Sequence, residues 1–274
     1  MGEIVFSAAM SHAPHITGYA DHASSEVKER VYAGMATIGE RLRQSRPDVL
    51  VVVSSDHFHN LFLDRMPAFC VGVADKYSGP VEKWIKIDPF HAQGARELGQ
   101  FIVAQAYEHR FDPAFAENVV IEHGIAVPLK FLTPDYDIPL VPILQNCMVP
   151  PLPTLRRCHE FGSFLRGVAQ RSDLRIAVVG TGGLSHSPGA PEAGDIDTKF
   201  DLELLSSLAS PHPESVLDWS NEKLDGAGFG AWEIRQWMTA LGASGGGPAE
   251  VVFYESVPEW ETGCGGVIFG TQID

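Results

Sequence analysis

Three of the eleven histidines follow short apolar runs that are typical of β-strands. Glu3–Met10 leads into His12, Val49–Val53 leads into His57, and Ile176–Gly180 leads into His186. In an open α/β sheet, ligands bind outside the carboxyl ends of the strands, so these imidazoles can meet although they are far apart in the sequence. Neutral imidazoles that share one point are typical ligands of a divalent metal. The pattern therefore predicts a metal site at one edge of a sheet.

Helix-like and strand-like segments alternate along the chain. Ser24–Gln44 carries apolar residues three or four positions apart, and Ser24 or Ser25 suits the N-cap of a helix there. Further helices are predicted over Gly94–His109, Phe161–Val168 and Phe200–Leu208. Further strands are predicted over Phe69–Val73, Ile138–Leu144, Val251–Tyr254 and Gly266–Phe269. Because no repeat or linker divides residues 1–274, we expect a single α/β domain with a mixed, largely parallel sheet flanked by helices.

Composition excludes several classes of partner. Thirty-five acidic against twenty basic residues give a formal charge of −15, which repels nucleic acids and anionic membranes. No apolar run approaches the roughly 18 residues of a membrane span, and no basic segment precedes the first strand as in a signal peptide. The four cysteines form no CxxC pair, which indicates reduced, buried thiols. We expect a cytoplasmic protein that binds neither nucleic acid nor membrane.

Two further residues join the candidate site. His123 follows the apolar run Val119–Ile121 and precedes Gly124, which permits close approach of the backbone. Iron(II) sites for oxygen chemistry combine two imidazoles with one carboxylate. Glu233 is the best carboxylate, because it adjoins apolar residues and a buried carboxylate needs a compensating charge. The alternative for Glu233 is a solvated acid on a helix surface, and the alternative for each histidine is a hydrogen-bonded loop residue.

The glycines of Gly180–Gly183 have two interpretations. They follow a predicted strand, but they match neither GxGxxG nor a P-loop, so the signal for nucleotide binding is weak. Close approach of the backbone beneath a buried site explains them equally well.

Five motifs in this order resemble those of the class III extradiol ring-cleavage dioxygenases. This is the family of the protocatechuate 4,5-dioxygenase β subunit and of 2,3-dihydroxyphenylpropionate 1,2-dioxygenase. The motifs are Ser11-His12-Ala13-Pro14, Ser55-Asp56-His57, Glu122-His123-Gly124, Gly180–His186 (GTGGLSH) and Trp232–Trp237 (WEIRQW). The resemblance implies His12, His57 and Glu233 as ligands of iron(II), and His123 and His186 as the acid/base pair. It also implies a catechol-type or aminophenol-type substrate that is cleaved with O2 in a meta position.

Some choices stay open at this stage. His59 competes with His57, and His15 competes with His12, although the Asp-His and Ser-His-Ala-Pro motifs favour His57 and His12. A zinc-dependent hydrolase on the same fold and a non-catalytic binding protein are the alternative functions. We expect a homo-oligomer, with or without a separate small subunit. The particular substrate is not specified by the sequence.

Overall fold

An eight-stranded mixed sheet lies at the centre of the computed structural model, which describes residues 1–270. In chain order the strands of the described residues are β1 (Glu3–Met10), β2 (Val49–Ser54), β3 (Phe69–Gly72), β4 (Lys76–Gly79), β5 (Phe90–Gln93), β6 (Ala114–Ala116), β7 (Leu140–Gln145), β8 (Arg175–Thr181), β9 (Ala249–Val257) and β10 (Thr262–Phe269). The order across the large sheet is β6-β3-β7-β2-β8-β1-β10-β9, and β4 and β5 form a small sheet of their own.

The central strands β7, β2, β8 and β1 run parallel to one another. Gly180 of β8 pairs with Ala9 of β1 on one side and with Val53 of β2 on the other. The segments that follow these three strands therefore leave the sheet side by side at one edge. This register brings His12 and His57 together across β8, as the positions of the apolar runs predict.

Eight α-helices surround the sheet in the described part of the chain. They are α1 (His15–Gly18), α2 (Ser25–Gln44), α3 (Arg96–Glu108), α4 (His123–Leu132), α5 (Leu155–Gln170), α6 (Thr198–Leu208), α7 (Asn221–Gly226) and α8 (Ile234–Ser244). Both faces of the sheet are covered. Val51 and Val53 belong to the apolar core that contains α5 and α8, whereas Leu50 and Val52 belong to the core that contains α2 and α4. Alternation of strand residues between two cores explains why β2 is apolar throughout.

The predicted α/β fold is confirmed, and so are the four predicted helices, at somewhat different bounds. Ser24 caps α2 by accepting a hydrogen bond from the amide of Val27. The structure adds β4, β5, β6 and α4, which the sequence did not predict. The predicted reduced thiols are confirmed, since all four cysteines are buried and free. Among residues 1–270, none of the helices combines the length and the apolar character needed to cross a lipid bilayer.

Candidate active site

The carboxyl edge of the sheet gathers all five predicted site residues. His12 lies two residues beyond β1, His57 three beyond β2 and His186 five beyond β8. His123 is the first residue of α4, and Glu233 directly precedes α8. The side chains of His12 and Glu233 are nearly inaccessible to solvent, each 3% exposed. The interpretation of Glu233 as a solvated surface acid is therefore wrong.

One carboxylate oxygen is the common neighbour of two imidazoles. Oε1 of Glu233 lies 3.1 Å from Nε2 of His12 and 3.3 Å from Nε2 of His57. Neighbouring ligands at about 2.1 Å from a shared metal are separated by about 3.0 to 3.4 Å. The two distances match that separation, and the donor set of two imidazoles and a carboxylate suits a divalent transition metal.

The opposite ring nitrogen of each of these histidines has its own partner. Nδ1 of His12 lies 3.1 Å from Oγ1 of Thr181, and Nδ1 of His57 lies 3.0 Å from Oε2 of Glu122. A carboxylate that accepts from Nδ1 fixes the tautomer of a histidine and leaves Nε2 with its lone pair. Glu122 therefore orients His57 with Nε2 toward Glu233.

His123 and His186 lie beside this group in unlike surroundings. Nδ1 of His123 is 2.6 Å from Oε1 of Glu82 and 2.9 Å from Oε2 of Glu122. Nδ1 of His186 instead donates to the carbonyl of Leu184 at 2.9 Å, and its Nε2 is 3.9 Å from Oε2 of Glu233. The rings of His57 and His123 have centroids 4.0 Å apart. His186 therefore lies beside Glu233, and His123 lies against His57.

Electrostatics separate the two histidines further. Burial lowers the pKa of His186, and the nearby charge of Glu233 offsets only part of that effect. Burial is also the largest single effect on His123 and disfavours its charged form, but the charge and hydrogen bond of Glu122, together with the hydrogen bond to Glu82, leave the pKa of His123 raised. In the same way burial opposes ionisation of Glu233 and Glu122, yet the adjacent histidines hold the pKa of both carboxyls well below the usual value. The adjacent histidines thus keep the carboxylates charged, as metal binding requires.

Gly182 explains part of the glycine-rich turn after β8. Its φ is +130°, which residues with a side chain rarely adopt, and a Cβ there would lie 2.7 Å from Cβ of Glu233. The amide of the next residue, Gly183, donates to Oε2 of Glu233 at 2.8 Å. The turn therefore packs closely against the carboxylate of Glu233. This supports close approach of the backbone, rather than nucleotide binding, as the reason for the glycines.

More than one set of side chains could hold a cation here. Single nitrogens of His12, His57 and His123 lie within 4.8 Å of one another, and so do ligand atoms of Glu82, Glu122 and His123. His59 lies beside Glu82 rather than Glu233, with Nε2 3.3 Å from Oε1 of that residue. His15 turns to the carbonyl of Trp260. Sequence reasoning missed Glu82 altogether, and it placed Glu122 in a motif without a role.

Comparison with known proteins identifies the family of this chain. Residues 7–265 match the family described as the catalytic LigB subunit of aromatic ring-opening dioxygenase. The chain belongs to this family, and it is a ring-opening dioxygenase whose activity depends on a metal cofactor. The resemblance noted in the sequence motifs is thereby confirmed.

Relatives that cover most of this chain are also dioxygenases. A 2,3-dihydroxyphenylpropionate/2,3-dihydroxicinnamic acid 1,2-dioxygenase of Cupriavidus necator is 31% identical over 302 residues, covering 93% of this chain and 94% of the relative. One from Rhodococcus jostii is 27% identical over 304 residues, covering 93% and 95%. In fold, the chain is similar to the crystal structure of an uncharacterized Escherichia coli K12 protein, with a TM-score of 0.63, 18% identity and coverage of 97% and 99%.

Proposed function

We propose that the protein is an iron(II) extradiol dioxygenase in which His12, His57 and Glu233 hold the metal. The observation that carries this proposal is the position of Oε1 of Glu233, 3.1 Å and 3.3 Å from the two Nε2 atoms. Two imidazoles and one carboxylate on one face are the ligand set of non-haem iron(II) oxygenases, with open positions opposite. We favour Glu233 over His123 as the third ligand, because Oε1 of Glu233 lies at ligand–ligand separation from both Nε2 atoms and completes a set of two imidazoles and one carboxylate.

Charge balance supports a divalent cation. Three carboxylates, those of Glu82, Glu122 and Glu233, lie within the group of imidazoles, and none has a side chain more than 9% exposed. Buried charges need opposite charges beside them. One divalent cation together with one imidazolium neutralises three carboxylates.

The proposed reaction inserts both atoms of O2 into a catechol and opens the ring beside the two hydroxyl-bearing carbons. When bound, iron(II) supplies Lewis acidity toward the catechol oxygens and one-electron chemistry with O2. The phenolic hydroxyls, with an ordinary pKa near about 10, must lose protons as the catechol binds. Breaking the O–O bond later in the reaction needs a proton on the oxygen that leaves. Both transfers need basic or acidic side chains within hydrogen-bonding reach.

We propose His186 and His123 for these proton transfers. His186 is favoured as neutral by its burial, and its Nδ1 is occupied by Leu184, so Nε2 is free to accept a phenolic proton. His123 is favoured as charged by Glu122 and Glu82, so it can donate a proton. A neutral and a charged imidazole on one site suit acid/base chemistry better than two of the same kind.

The proposal is tested by reconstitution. The metal-free protein is loaded anaerobically with iron(II) or with zinc, and oxygen uptake is followed with a panel of catechols and aminophenols. The first substrate to test is 2,3-dihydroxyphenylpropionate, which is named for the relatives. Iron should support uptake and zinc should not. Turnover with zinc alone would show that the metal does not transfer electrons to O2. That result would contradict the proposed role of iron(II).

We also propose the domain organisation, the cellular location and the oligomeric state of the enzyme. We take residues 1–274 as one catalytic domain, since the family match covers residues 7–265. We propose a cytoplasmic homo-oligomer. Support comes from the four free cysteines and from the exposed apolar loop after β2, where Phe62 and Leu63 are 51% and 70% exposed. Light scattering measures the mass in solution, with and without candidate small subunits.

A further inference from the structure

A buried carboxylate with no assigned role lies behind His123. Glu82 belongs to the segment between β4 and the short 3-10 helix Lys83–Ile85. Its side chain is only 9% exposed. Oε1 accepts a hydrogen bond from Nδ1 of His123 at 2.6 Å, and the backbone amide of His123 approaches the same atom at 3.3 Å. Two donors from one residue thus converge on one oxygen.

Backbone pairing keeps Glu82 in this place. Ser78 forms a parallel bridge with Val120, and the amide of Val81 donates to the carbonyl of Ile121 at 3.0 Å. The segment that carries Glu82 therefore runs alongside the segment that carries His123. Glu82 meets His123 because the backbone sets the register.

Glu82 is the nearer of two carboxylates to Nδ1 of His123, at 2.6 Å, whereas Oε2 of Glu122 lies 2.9 Å from that nitrogen and is shared with His57. Oε2 of Glu122 is hydrogen-bonded to Nδ1 of His57 at 3.0 Å, and Glu82 is hydrogen-bonded to Nδ1 of His123. With Nδ1 engaged, the remaining nitrogen of each ring is Nε2. For a metal ligand this arrangement fixes the coordinating nitrogen. For an acid/base group it fixes the nitrogen that exchanges a proton with the substrate.

From these contacts we infer that Glu82 is a positioning residue for His123, which holds the imidazole so that Nε2 serves the reacting centre. The inference rests on the proposed role of His123 in the dioxygenase reaction. Within residues 1–270 the hydrogen bonds and ion pairs of Glu82 go to His123 and His59 and to none of the proposed metal ligands, so its effect on the site passes through His123. The same oxygen is 3.3 Å from Nε2 of His59, which offers an alternative route for any effect of Glu82.

The test measures turnover and metal content in Glu82→Ala, Glu82→Gln and wild type. Loss of a supporting hydrogen-bond partner typically costs about 10- to 100-fold, so kcat of Glu82→Ala should fall by that range while iron content and KM stay near those of wild type. Glu82→Gln keeps an acceptor oxygen and should recover part of the loss. His59→Ala removes the other imidazole and should leave kcat within about twofold of wild type.

A double-mutant cycle separates positioning from general damage to the structure. In a His123→Phe background, Glu82→Ala should change kcat by no more than about twofold, because the residue through which it acts is gone. A full further loss in that background would overturn the inference, and so would loss of iron in Glu82→Ala or undiminished kcat.

A spectroscopic measurement keeps the inference independent of the activity. In the metal-free and zinc-loaded protein labelled with 15N-histidine, the hydrogen-bonded Nδ1 proton of His123 should give a downfield signal that His123→Phe removes. Glu82→Ala should lose or shift this signal. If wild type takes up no oxygen with any catechol but the signal responds to Glu82→Ala, the proposed function fails and the contact stands. An unchanged signal would refute the role of Glu82.

Discussion

Oε1 of Glu233 lies 3.1 Å from Nε2 of His12, although 221 positions separate the two residues in the chain. The contact depends on how α8 packs across the end of β8. Nε1 of Trp237 in α8 donates to the carbonyl of Gly182 at 2.9 Å, and Oγ of Ser7 in β1 donates to the carbonyl of Ala240 at 2.7 Å. These two hydrogen bonds hold α8 against β1 and against the turn after β8. They fix the position of Glu233, which directly precedes α8.

Replacing Glu233 by glutamine should release the metal. A neutral amide is a poorer ligand and leaves the positive charge of the site uncompensated. Metal affinity should fall by at least about tenfold, the lower end of what even a supporting residue contributes. Metal analysis after dialysis measures this, with Glu259→Gln as the matched control on an exposed glutamate. If Glu233→Gln holds iron as well as wild type does, the third ligand lies elsewhere, and His123 is the next candidate.

Removing either proposed acid/base histidine should spare the metal and slow the chemistry. General acid/base groups contribute about 10²- to 10⁴-fold, so His186→Ala and His123→Phe should lower turnover by that range. Iron content should stay near wild type, whereas His12→Ala and His57→Ala should lose iron. Iron-free His186→Ala would show that His186 is a ligand, and a fully active variant would show that it has no part in proton transfer.

A methyl group at Gly182 should disturb both stability and metal binding. Gly182→Ala forces a side chain into a φ of +130° and brings Cβ to 2.7 Å from Cβ of Glu233. The strained backbone alone costs about 1 to 3 kcal/mol. Gly189→Ala is the control, because its φ is +73° and no atom lies within 4 Å of the added Cβ. Urea unfolding should show a larger loss at Gly182, and only Gly182→Ala should also weaken metal retention. Equal losses at both positions would exclude a role for the contact with Glu233.

Asp201 should make stability depend on pH. Burial raises the pKa of its carboxyl from 3.8 to about 6, although it accepts hydrogen bonds from Ser185 and Tyr254. The folded state therefore binds this proton more tightly than the unfolded state, so its contribution to stability is present below about pH 4 and is lost as the pH rises through about 6. A shift of about two units corresponds to about 3 kcal/mol.

Asp201→Asn keeps the shape of the side chain and one acceptor oxygen, and it removes the titration. The free energy of unfolding of wild type relative to Asp201→Asn should therefore fall across that interval, as measured by urea unfolding at a series of pH values. A constant difference between the two proteins would mean that Asp201 keeps its ordinary pKa in the folded state.

The sequence predicts the position of those site residues that directly follow strands. His12, His57 and His186 each follow an apolar run, and parallel strands end at the same edge of a sheet, so their meeting follows from local pattern. Glu233 required an argument about buried charge, because no strand carries it. Sequence alone does not decide its exposure, because the packing of α8 against β1 and the turn after β8 buries it.

The supporting carboxylates could not be predicted in this way. Glu82 reaches His123 through pairing of residues about 40 positions apart, between Ser78 and Val120, and nothing near Glu82 signals that contact. α4 was missed for a local reason, since it contains Gly124 and Pro128, which both disfavour helix. Glu122 was visible beside His123, but only the fold shows that its carboxylate turns to His57 as well.

The place of β1 in the sheet determines when, during synthesis of the chain, the site can form. β1 is hydrogen-bonded between β8 and β10, and its first residue, Glu3, pairs with Arg175. While the ribosome is still translating the first half of the chain, the strand that leads to His12 has none of its neighbours, and Glu233 has not been synthesised. The nascent chain cannot offer the proposed set of His12, His57 and Glu233 before the segment leading into α8 has been made. If these residues hold the metal as proposed, we expect metal to bind only once nearly the whole chain has been made.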